Sequence, residues 1–192
     1  MKTLRPYARL RSRPKPQQGA TLIEVLVSLV ILMIGLLGLV GVMVHSQRAQ
    51  LESYQRVQAL MLVQDMAARI AANKLVADCY VLAAPIGTGN TTVPTACAVA
   101  TATASQKDRV VQDLTSWRDL LLGSAESAAG SAVGGVLAAR GCITQDGNTF
   151  QISVAWQGLA ATSAPPAGIP CAQGSYGDDA ARRAVSVTVE AS

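Results

Sequence analysis

Residues 17–44 read QQGATLIEVLVSLVILMIGLLGLVGVMV, and this stretch decides the fold. An apolar run extends from Ala20 to Val44 and carries a single acid, Glu24, near its start. It is longer than the ~7 to 15 apolar residues of a secretory signal peptide, and it reaches the ~20 residues that a helix needs to cross a bilayer. No A-x-A cleavage site follows it. Length and charge alone therefore indicate a signal-anchor helix.

Glu24 needs an explanation of its own, because a carboxylate in an apolar helix costs ~2.5 to 3.5 kcal/mol near the bilayer centre. Its place near the end of the run would allow the side chain to reach the headgroups. A cut after Gly19 would instead create a free amine on Ala20, one helical turn away from Glu24. A neighbouring subunit would then supply the positive charge that pairs with the Glu24 carboxylate.

At these residues the sequence resembles the type IV pilin family, whose prepilins carry a short basic leader ending in Gly and then a motif like G-F-T-L-I-E. The matching segment is Gly19-Ala20-Thr21-Leu22-Ile23-Glu24. The resemblance implies cleavage between Gly19 and Ala20 by a prepilin peptidase and N-methylation of Ala20. It also implies that Glu24 aids docking of the subunit into a filament. Ala20 departs from the family pattern, in which Phe or Met is commoner.

Within that family, residues 25–42 (VLVSLVILMIGLLGLVGV) are similar to the PilV group of minor pilins, as are residues 150–158 (FQISVAWQG). This resemblance implies assembly with other minor pilins and the tip adhesin in a priming complex at the pilus tip, beside the major pilin. Such a complex supports adhesion and twitching motility. Gly41 falls where major pilins often have Pro, which implies a flexible point in the helix. The pseudopilins of type II secretion, and an anchored envelope protein that enters no filament, are the alternatives.

Charge is distributed unevenly along the chain. The chain has 16 basic and 12 acidic residues, and the leader before Gly19 holds six of the basic residues and no acid. Removal of the leader would change the net charge from +4 to −2. The basic leader predicts a cytoplasmic N-terminus, a single pass through the lipid of the inner membrane and a periplasmic head, before transfer to the fibre tip. No nucleic-acid partner is expected, because the positive charge is a topology signal.

The first helix is predicted to continue beyond the membrane, since residues 45–74 contain no Pro or Gly. One apolar stripe along this part is expected to face the core of the head: Tyr54, Val57, Met61, Leu62, Met66 and Ile70. Residues 83–107 are rich in Ala, Thr, Gly and Pro and are predicted to form a loop. We divide the chain into a leader (1–19), a transmembrane half-helix (20–44), an amphipathic half-helix (45–78) and a periplasmic globular head (79–192).

The head is predicted to combine one short helix with a sheet. Residues 108–126 place four apolar side chains on one helical face: Val110, Leu114, Trp117 and Leu121. Residues 150–156 and 185–189 alternate as half-buried strands, and residues 141–143 are the expected partner of the first strand across the turn QDGN. The predicted fold class is α+β, a type IV pilin-like lollipop with a long N-terminal helix packed on a small antiparallel sheet.

Four cysteines lie in the part predicted to face the oxidising periplasm: Cys79, Cys97, Cys142 and Cys171. Four cysteines allow three pairings. We favour Cys79 with Cys97 and Cys142 with Cys171, because each pair closes a loop rich in Gly, Pro and Ala whose free ends would cost entropy. The chain has no C-x-x-C pair and one histidine, His45, so neither a metal site nor a cofactor is expected.

No catalytic set is expected either. His45 has no plausible Ser or Cys nucleophile near it in the predicted topology. Asp178 and Asp179 have oxygens that suit calcium, but an exposed acidic turn is the simpler interpretation. No phosphate-binding glycine loop precedes a helix. The sequence therefore favours a binding and assembly role over an enzyme.

Overall fold

The computed structural model describes residues 19, 21–97, 99–124, 127–128, 131–132 and 134–191. The chain divides into two units, one ending at His45 and the other beginning at Ser46. Helix α1 (Leu22–Ala72) supplies the helical part of the first unit and the first element of the second. The predicted α+β class, with the long helix packed against a small antiparallel sheet, is confirmed.

Helix α1 begins where Thr21 accepts the first backbone hydrogen bonds, from Glu24 N at 3.0 Å and Val25 N at 3.3 Å. It continues through Gly41 without a break, so the flexible point expected there stays a prediction. The α-helix ends at Ala72, because Asn73 leaves the helical region with φ −127° and ψ 41°. A 3-10 helix over Lys74–Tyr80 then carries the chain toward the sheet.

The buried face of α1 differs from the predicted stripe. Tyr54, Val57 and Met61 are 58%, 46% and 62% exposed, so their assignment to the core was wrong. Met66 and Ile70 of the predicted stripe are buried as expected, and the core face also includes Ala59, Val63 and Ala67. Two of these are alanines, whose small side chains let the helix lie close to its neighbours. Tyr54, Val57 and Met61 remain on the opposite, open face.

Helix α2 (Ala104–Leu121) starts earlier than predicted because of its N-terminal cap. Thr103 Oγ1 accepts from Gln106 N at 3.3 Å, and the Gln106 side chain accepts from Thr103 N at 2.9 Å. This reciprocal pair is a capping box. The predicted apolar face is confirmed, since all four residues are buried: Val110, Leu114, Trp117 and Leu121.

The strands form two sheets. Strands β2 (Ser127–Ala128) and β3 (Ser131–Ala132) pair with each other. The main sheet has the order β1-β4-β5-β6 with every neighbour antiparallel, and its strands are β1 (Ile86–Gly87), β4 (Arg140–Asp146), β5 (Thr149–Gln157) and β6 (Arg182–Glu190). The predicted hairpin between β4 and β5 is confirmed, with Gly147 and Asn148 in the turn and φ +58° at Gly147.

Both faces of β5 are covered, whereas the alternation of its residues predicted one covered face and one face open to solvent. One face contributes to the core that also contains the helices: Phe150, Ile152, Val154 and Trp156. On the other face, Ser153 and Ala155 are 4% and 0% exposed. Cys142, Cys171 and Ala172 form a second, smaller core with Ala155. The loop around residues 169–176 therefore covers the face that was expected to meet solvent.

Both disulfide pairings favoured from the sequence are present. Cys79 bonds to Cys97 with their Cα atoms 5.0 Å apart, and Cys142 bonds to Cys171 with their Cα atoms 5.7 Å apart. The first joins the 3-10 helix to the loop before α2, and the second joins β4 to the loop that covers the sheet. Loop closures of this size stabilise a fold by about 3 kcal/mol each in the chain-entropy account.

Gly141 is required by the packing of Trp117, and we predict that Gly141→Ala destabilises the fold. A Cβ at Gly141 would overlap the Trp117 ring and approach Leu121 Cδ1 to 2.8 Å, and both side chains are buried. Overpacking of this kind costs about 1 to 3 kcal/mol of unfolding free energy. Urea unfolding of the full chain in a nonionic detergent, followed by tryptophan fluorescence, measures the loss.

The matched control is Gly168→Ala, since a Cβ there meets no atom within 4 Å. This substitution should change the unfolding free energy by less than about 0.5 kcal/mol. Equal midpoints for the two alanine variants would contradict the packing described for Trp117.

Candidate functional site

The start of α1 holds the residues to which the sequence assigns processing and docking. Gly19 is exposed and non-helical, whereas Ala20 lies outside the described residues. Glu24 is exposed in the first turn, and its carbonyl oxygen accepts from Ser28 Oγ at 2.7 Å. No ion pair involves Glu24 among the residues that the structure describes. Cleavage and methylation at Gly19 and Ala20, and docking through Glu24, therefore stay predictions.

The first half of α1 is apolar on every side. Every residue from Thr21 to Leu51 is exposed, and Leu22 and Leu37 reach 79% and 72%. Of the helices in the described ranges, α1 is the one long and apolar enough to cross a membrane. This run therefore needs a partner outside its own chain, which is either lipid or other apolar helices.

A second apolar surface continues along α1 within the second unit. We call it the outer stripe, and it consists of four residues that are each 46% to 62% exposed: Leu51, Tyr54, Val57 and Met61. Their spacing of three, three and four residues places them along one side of the helix. They lie on the side of α1 opposite to its buried residues. A row of large apolar side chains that the head leaves open marks an interaction surface.

A buried polar cluster fixes α1 behind this stripe. Its centre is Asp113 of α2, which is 3% exposed. Asp113 Oδ1 accepts from Arg69 Nη1 at 3.0 Å and lies 3.3 Å from Arg109 Nε, while Asp113 Oδ2 accepts from the Tyr80 hydroxyl at 2.8 Å. Arg69 also donates to Asp65 Oδ2 at 2.8 Å. One carboxylate thus joins α1, the 3-10 helix and α2.

The cluster changes the proton affinity of its members. Burial is the main cause that raises the pKa of Tyr80 to about 12, and the charge of Asp113 adds to the rise, against opposing contributions from Asn73 and Arg109. Burial would lower the pKa of Arg69, but its hydrogen bonds and ion pairs with Asp65 and Asp113 outweigh burial and raise that pKa. Tyr80 is thus a neutral donor and Arg69 a cation at any physiological pH.

A second contact between the two helices lies one turn further along α2, on the same face as Asp113. Trp117 of α2 is fully buried, and its Nε1 donates to the carbonyl oxygen of Leu62 on α1 at 2.9 Å. Trp117 and Asp113 are one turn apart on α2. Together they hold the second part of α1 in a fixed rotation, which keeps the outer stripe facing away from the core.

The acidic turn near the C-terminus has structural partners. Asp178 accepts from Ala180 N at 2.9 Å. Asp179 accepts from both Nε and Nη2 of Arg182, at 2.6 and 2.9 Å, and this hydrogen bonding lowers the pKa of the Asp179 carboxyl. Arg182 is 2% exposed and also donates to the carbonyl of Ile169 at 2.7 Å. The two aspartates thus help to hold the loop over the sheet, and no metal-binding group of three His, Cys, Asp or Glu occurs in the described ranges.

The structural roles of Asp113 and Arg182 were not predicted from the sequence. Asp113 carried a detectable signal, because a carboxylate at a core position of an amphipathic helix, four residues after Arg109, is unusual. Its other partners, Arg69 and Tyr80, are distant in the chain and gave no signal. The surroundings of Arg182 depend on the loop around residues 169–176, whose path a sequence of Gly, Pro and Ala does not specify.

Comparison with known families matches two adjoining parts of the chain. Residues 14–40 match the model of the prokaryotic N-terminal methylation motif, and residues 42–110 match that of type IV pilin Tt1218. Searches of the curated proteins and of the solved structures each return no match. The chain therefore carries an N-terminal methylation motif and a Tt1218-like domain, and these two matches support a pilin-type protein. The motif implies processing by a prepilin peptidase and assembly with other pilins, and with the apolar helix it is consistent with a membrane-anchored pilin.

The raised pKa of Tyr80 predicts loss of stability at alkaline pH. The unfolded tyrosine releases its proton near pH 10 and the folded one near pH 12, so the folded state holds the proton in that window. The free energy of unfolding should be independent of Tyr80 below pH 10 and then fall by up to about 1.4 kcal/mol per pH unit. Urea unfolding of the full chain between pH 8 and 11.5 measures this slope.

Tyr80→Phe should lower stability at pH 8, because Asp113 loses a hydrogen bond, and should make the alkaline slope shallower. Tyr54→Phe is the matched control, since Tyr54 lies on the exposed stripe and should leave both quantities unchanged. An alkaline slope that is the same in Tyr80→Phe as in the unaltered chain would contradict the assignment.

Proposed function

We propose that this protein is a minor pilin of the PilV group that joins other minor pilins in a priming complex at the tip of a type IV pilus. In this proposal it is an assembly component and not an enzyme. Its partners are the prepilin peptidase, the other minor pilins with the tip adhesin, the major pilin and the lipid of the inner membrane. Its N-terminus faces the cytoplasm and its head faces the periplasm before the subunit enters the fibre.

The observation that carries the proposal is the N-methylation motif followed directly by an apolar helix that no described part of the chain covers. The motif spans Gly19 and Glu24 within residues 14–40. The helix is exposed from Thr21 to Leu51. A membrane anchor and a filament stem both need such a surface, because lipid covers it before assembly and other helices cover it afterwards. The outer stripe extends the same type of surface into the second unit.

Glu24 has a role of its own in this mechanism. A carboxylate near the end of an apolar helix favours a position where a cation can neutralise it. In the proposed filament, that cation is the methylated N-terminal amine of a neighbouring subunit. The apolar stem then supplies most of the packing, while Glu24 selects the axial position at which the subunits dock.

The choice of a minor pilin over its relatives depends on the resemblance of residues 25–42 and 150–158 to the PilV group. A pseudopilin of a type II secretion system would use the same stem, so the stem does not separate the two. The second candidate is therefore kept, and the test below includes an arm for it.

Glu24→Gln should keep the protein in the membrane and remove it from the fibre, since the amide has the same shape without the charge. The measurement is the amount of this protein in sheared pili relative to the amount in membranes of the native host. We expect that ratio to fall at least tenfold. A tenfold fall corresponds to a loss of about 1.4 kcal/mol of docking free energy. Glu190→Gln, at an exposed position at the end of β6, is the matched control and should not change the ratio.

Deletion of the gene in the same host separates the two candidates. Loss of twitching with intact protein secretion supports a minor pilin, and loss of secretion with intact twitching supports a pseudopilin. A Glu24→Gln chain that enters sheared fibres as well as the unaltered chain would contradict the docking role.

A further inference from the structure

Strand β6 lies at one edge of the main sheet, and within the described ranges β5 is the strand that pairs with it. Bonds just beyond its two ends show which of its backbone groups face β5. Gly158 N donates to the carbonyl oxygen of Ala181 at 2.8 Å. Ala191 N donates to that of Asn148 at 3.1 Å. Because bonding alternates along an antiparallel pair, the odd-numbered residues of β6 bond to β5 and the even-numbered ones direct their N–H and C=O groups outward.

Most of these outward groups have no partner. At the start of β6 the chain covers itself, since Thr162 N donates to the carbonyl oxygen of Ala180 at 3.0 Å. Further along the strand, no backbone hydrogen bond of the described residues reaches the outward groups. We call them the β6 edge, and they belong to three residues: Ala184, Ser186 and Thr188. A row of free N–H and C=O groups at strand spacing is complementary to another extended chain.

The β6 edge carries none of the features that usually prevent such pairing. Open edges in natural proteins are commonly blocked by charged residues, prolines, bulges or a very short strand. Residues 184–189 read AVSVTV, without a charge, Pro or Gly, and the register with β5 runs unbroken along β6. The opposite edge of the sheet is protected, because β1 has only two residues. This contrast indicates that β6 is kept open for a partner.

Side chains beside the β6 edge specify which residues an added strand would present. Val187 and Val189 pack against the main core but are only partly buried at this end of it. The alternate residues Ser186 and Thr188 belong to the other face of the sheet. An added strand would therefore complete the core with apolar residues on one face and place polar residues on the other.

Charge at the start of the β6 edge favours an acidic residue in the partner. Arg183, directly before the edge, lines one cleft together with Arg56 of α1. Arg183 Nη2 lies 3.7 Å from Glu52 Oε1, so these two charges largely offset each other. Arg56 is exposed and forms no ion pair within the described part of the chain. One positive charge is therefore left for a carboxylate of the added strand.

A second copy of this chain fits the edge poorly in the antiparallel sense. Two β6 strands paired in this way are related by a twofold axis across the strands, which reverses one head relative to the other. Glu52 lies beside Arg183 at the start of β6, so α1 enters the second unit at that end. The two entry points would then lie at opposite ends of the pair, which does not allow both chains to be anchored in one membrane.

We infer that the β6 edge receives an extended segment of a different protein, which adds to the main sheet as an antiparallel strand. Backbone hydrogen bonds supply the affinity, and selectivity comes from alternate apolar residues and from one acidic residue near Arg56 and Arg183. The inference depends on the membrane anchoring in the proposed function, because that anchoring is what disfavours a second copy. It specifies how the head holds a partner during assembly.

The first test uses a synthetic peptide, acetyl-Thr-Val-Thr-Val-Thr-Glu-amide, whose antiparallel register places its Glu opposite Arg183. The full chain, labelled with ¹⁵N and held in a nonionic detergent, is titrated with this peptide. Hydrogen exchange of the edge amides, those of Ala184, Ser186 and Thr188, should slow about tenfold or more at saturation. Exchange at Val185 and Val187 should not change, because their amides already bond to β5.

Two altered peptides separate backbone pairing from side-chain contact. A peptide that is N-methylated at its Thr residues keeps every side chain but loses the N–H groups that face the edge, so it should give no protection. A peptide with Gln in place of Glu should bind about twofold to fivefold more weakly, because it loses one surface ion pair.

Ser186→Pro should weaken peptide binding about tenfold, because it removes an N–H that the fold itself does not use. Ser186→Ala is the matched control, since it keeps that N–H and should bind within about twofold of the unaltered chain. Tryptophan fluorescence in urea verifies that both variants are folded, and the methylated peptide gives the same test if the proline variant is not. In the native host, the ratio of protein in sheared pili to protein in membranes should fall for Ser186→Pro alone.

Other outcomes overturn the inference. Equal protection by the methylated peptide would show side-chain contact without strand addition. A dimer of the full chain in sedimentation that Ser186→Pro dissociates would assign the edge to a second copy. The titration needs no filament, so edge protection in a chain that never enters pili would refute the proposed function alone. A chain that enters pili, with equal ratios for Ser186→Pro and Ser186→Ala and no edge protection, would refute this inference alone.

Discussion

Covering the apolar first half of α1 is the constraint on which the rest of the molecule depends. Full burial of one Leu, Ile, Val or Met side chain is worth about 1.5 to 3 kcal/mol, so leaving this run in water would cost on the order of 20 kcal/mol. That exceeds the net stability of a typical domain, about 5 to 15 kcal/mol. The described part of the chain offers this segment no cover, since every residue from Thr21 to Leu51 is exposed. The hydrophobic effect therefore requires a cover from outside this segment, which in the proposed function is lipid at first and other helices afterwards.

Contacts within the second unit hold the second part of α1 in one rotation about its axis. Asp113 is bonded to Arg69 and Tyr80 from two other elements, and Trp117 adds a hydrogen bond to the α1 backbone. Removing one partner of a buried charged pair is far more costly than losing a surface pair, so this connection is rigid. It turns Ala59, Val63, Met66, Ala67 and Ile70 toward the core and leaves the outer stripe open. The structural core thereby determines which face of the helix is available for assembly.

Much of this arrangement was predictable from local patterns in the sequence. The β4–β5 hairpin follows from QDGN between alternating residues, and the buried face of α2 follows from the spacing of Val110, Leu114, Trp117 and Leu121. Both disulfides follow from loop composition. Apolar size does not predict the rotation of α1, because Ala59 and Ala67 face the core and Tyr54 and Met61 do not. The cover over Ser153 and the partners of Asp113 depend on contacts between distant parts of the chain, which single-sequence periodicity does not encode.

The central claim is that α1 becomes the N-terminus of a processed pilin subunit, and the most direct test is the intact mass and N-terminal sequence of the protein isolated from membranes of its native host. The account predicts a chain that begins at Ala20 and carries one added methyl group on its amine. A chain that retains residues 1–19 would contradict it, and the apolar helix would then be an uncleaved anchor.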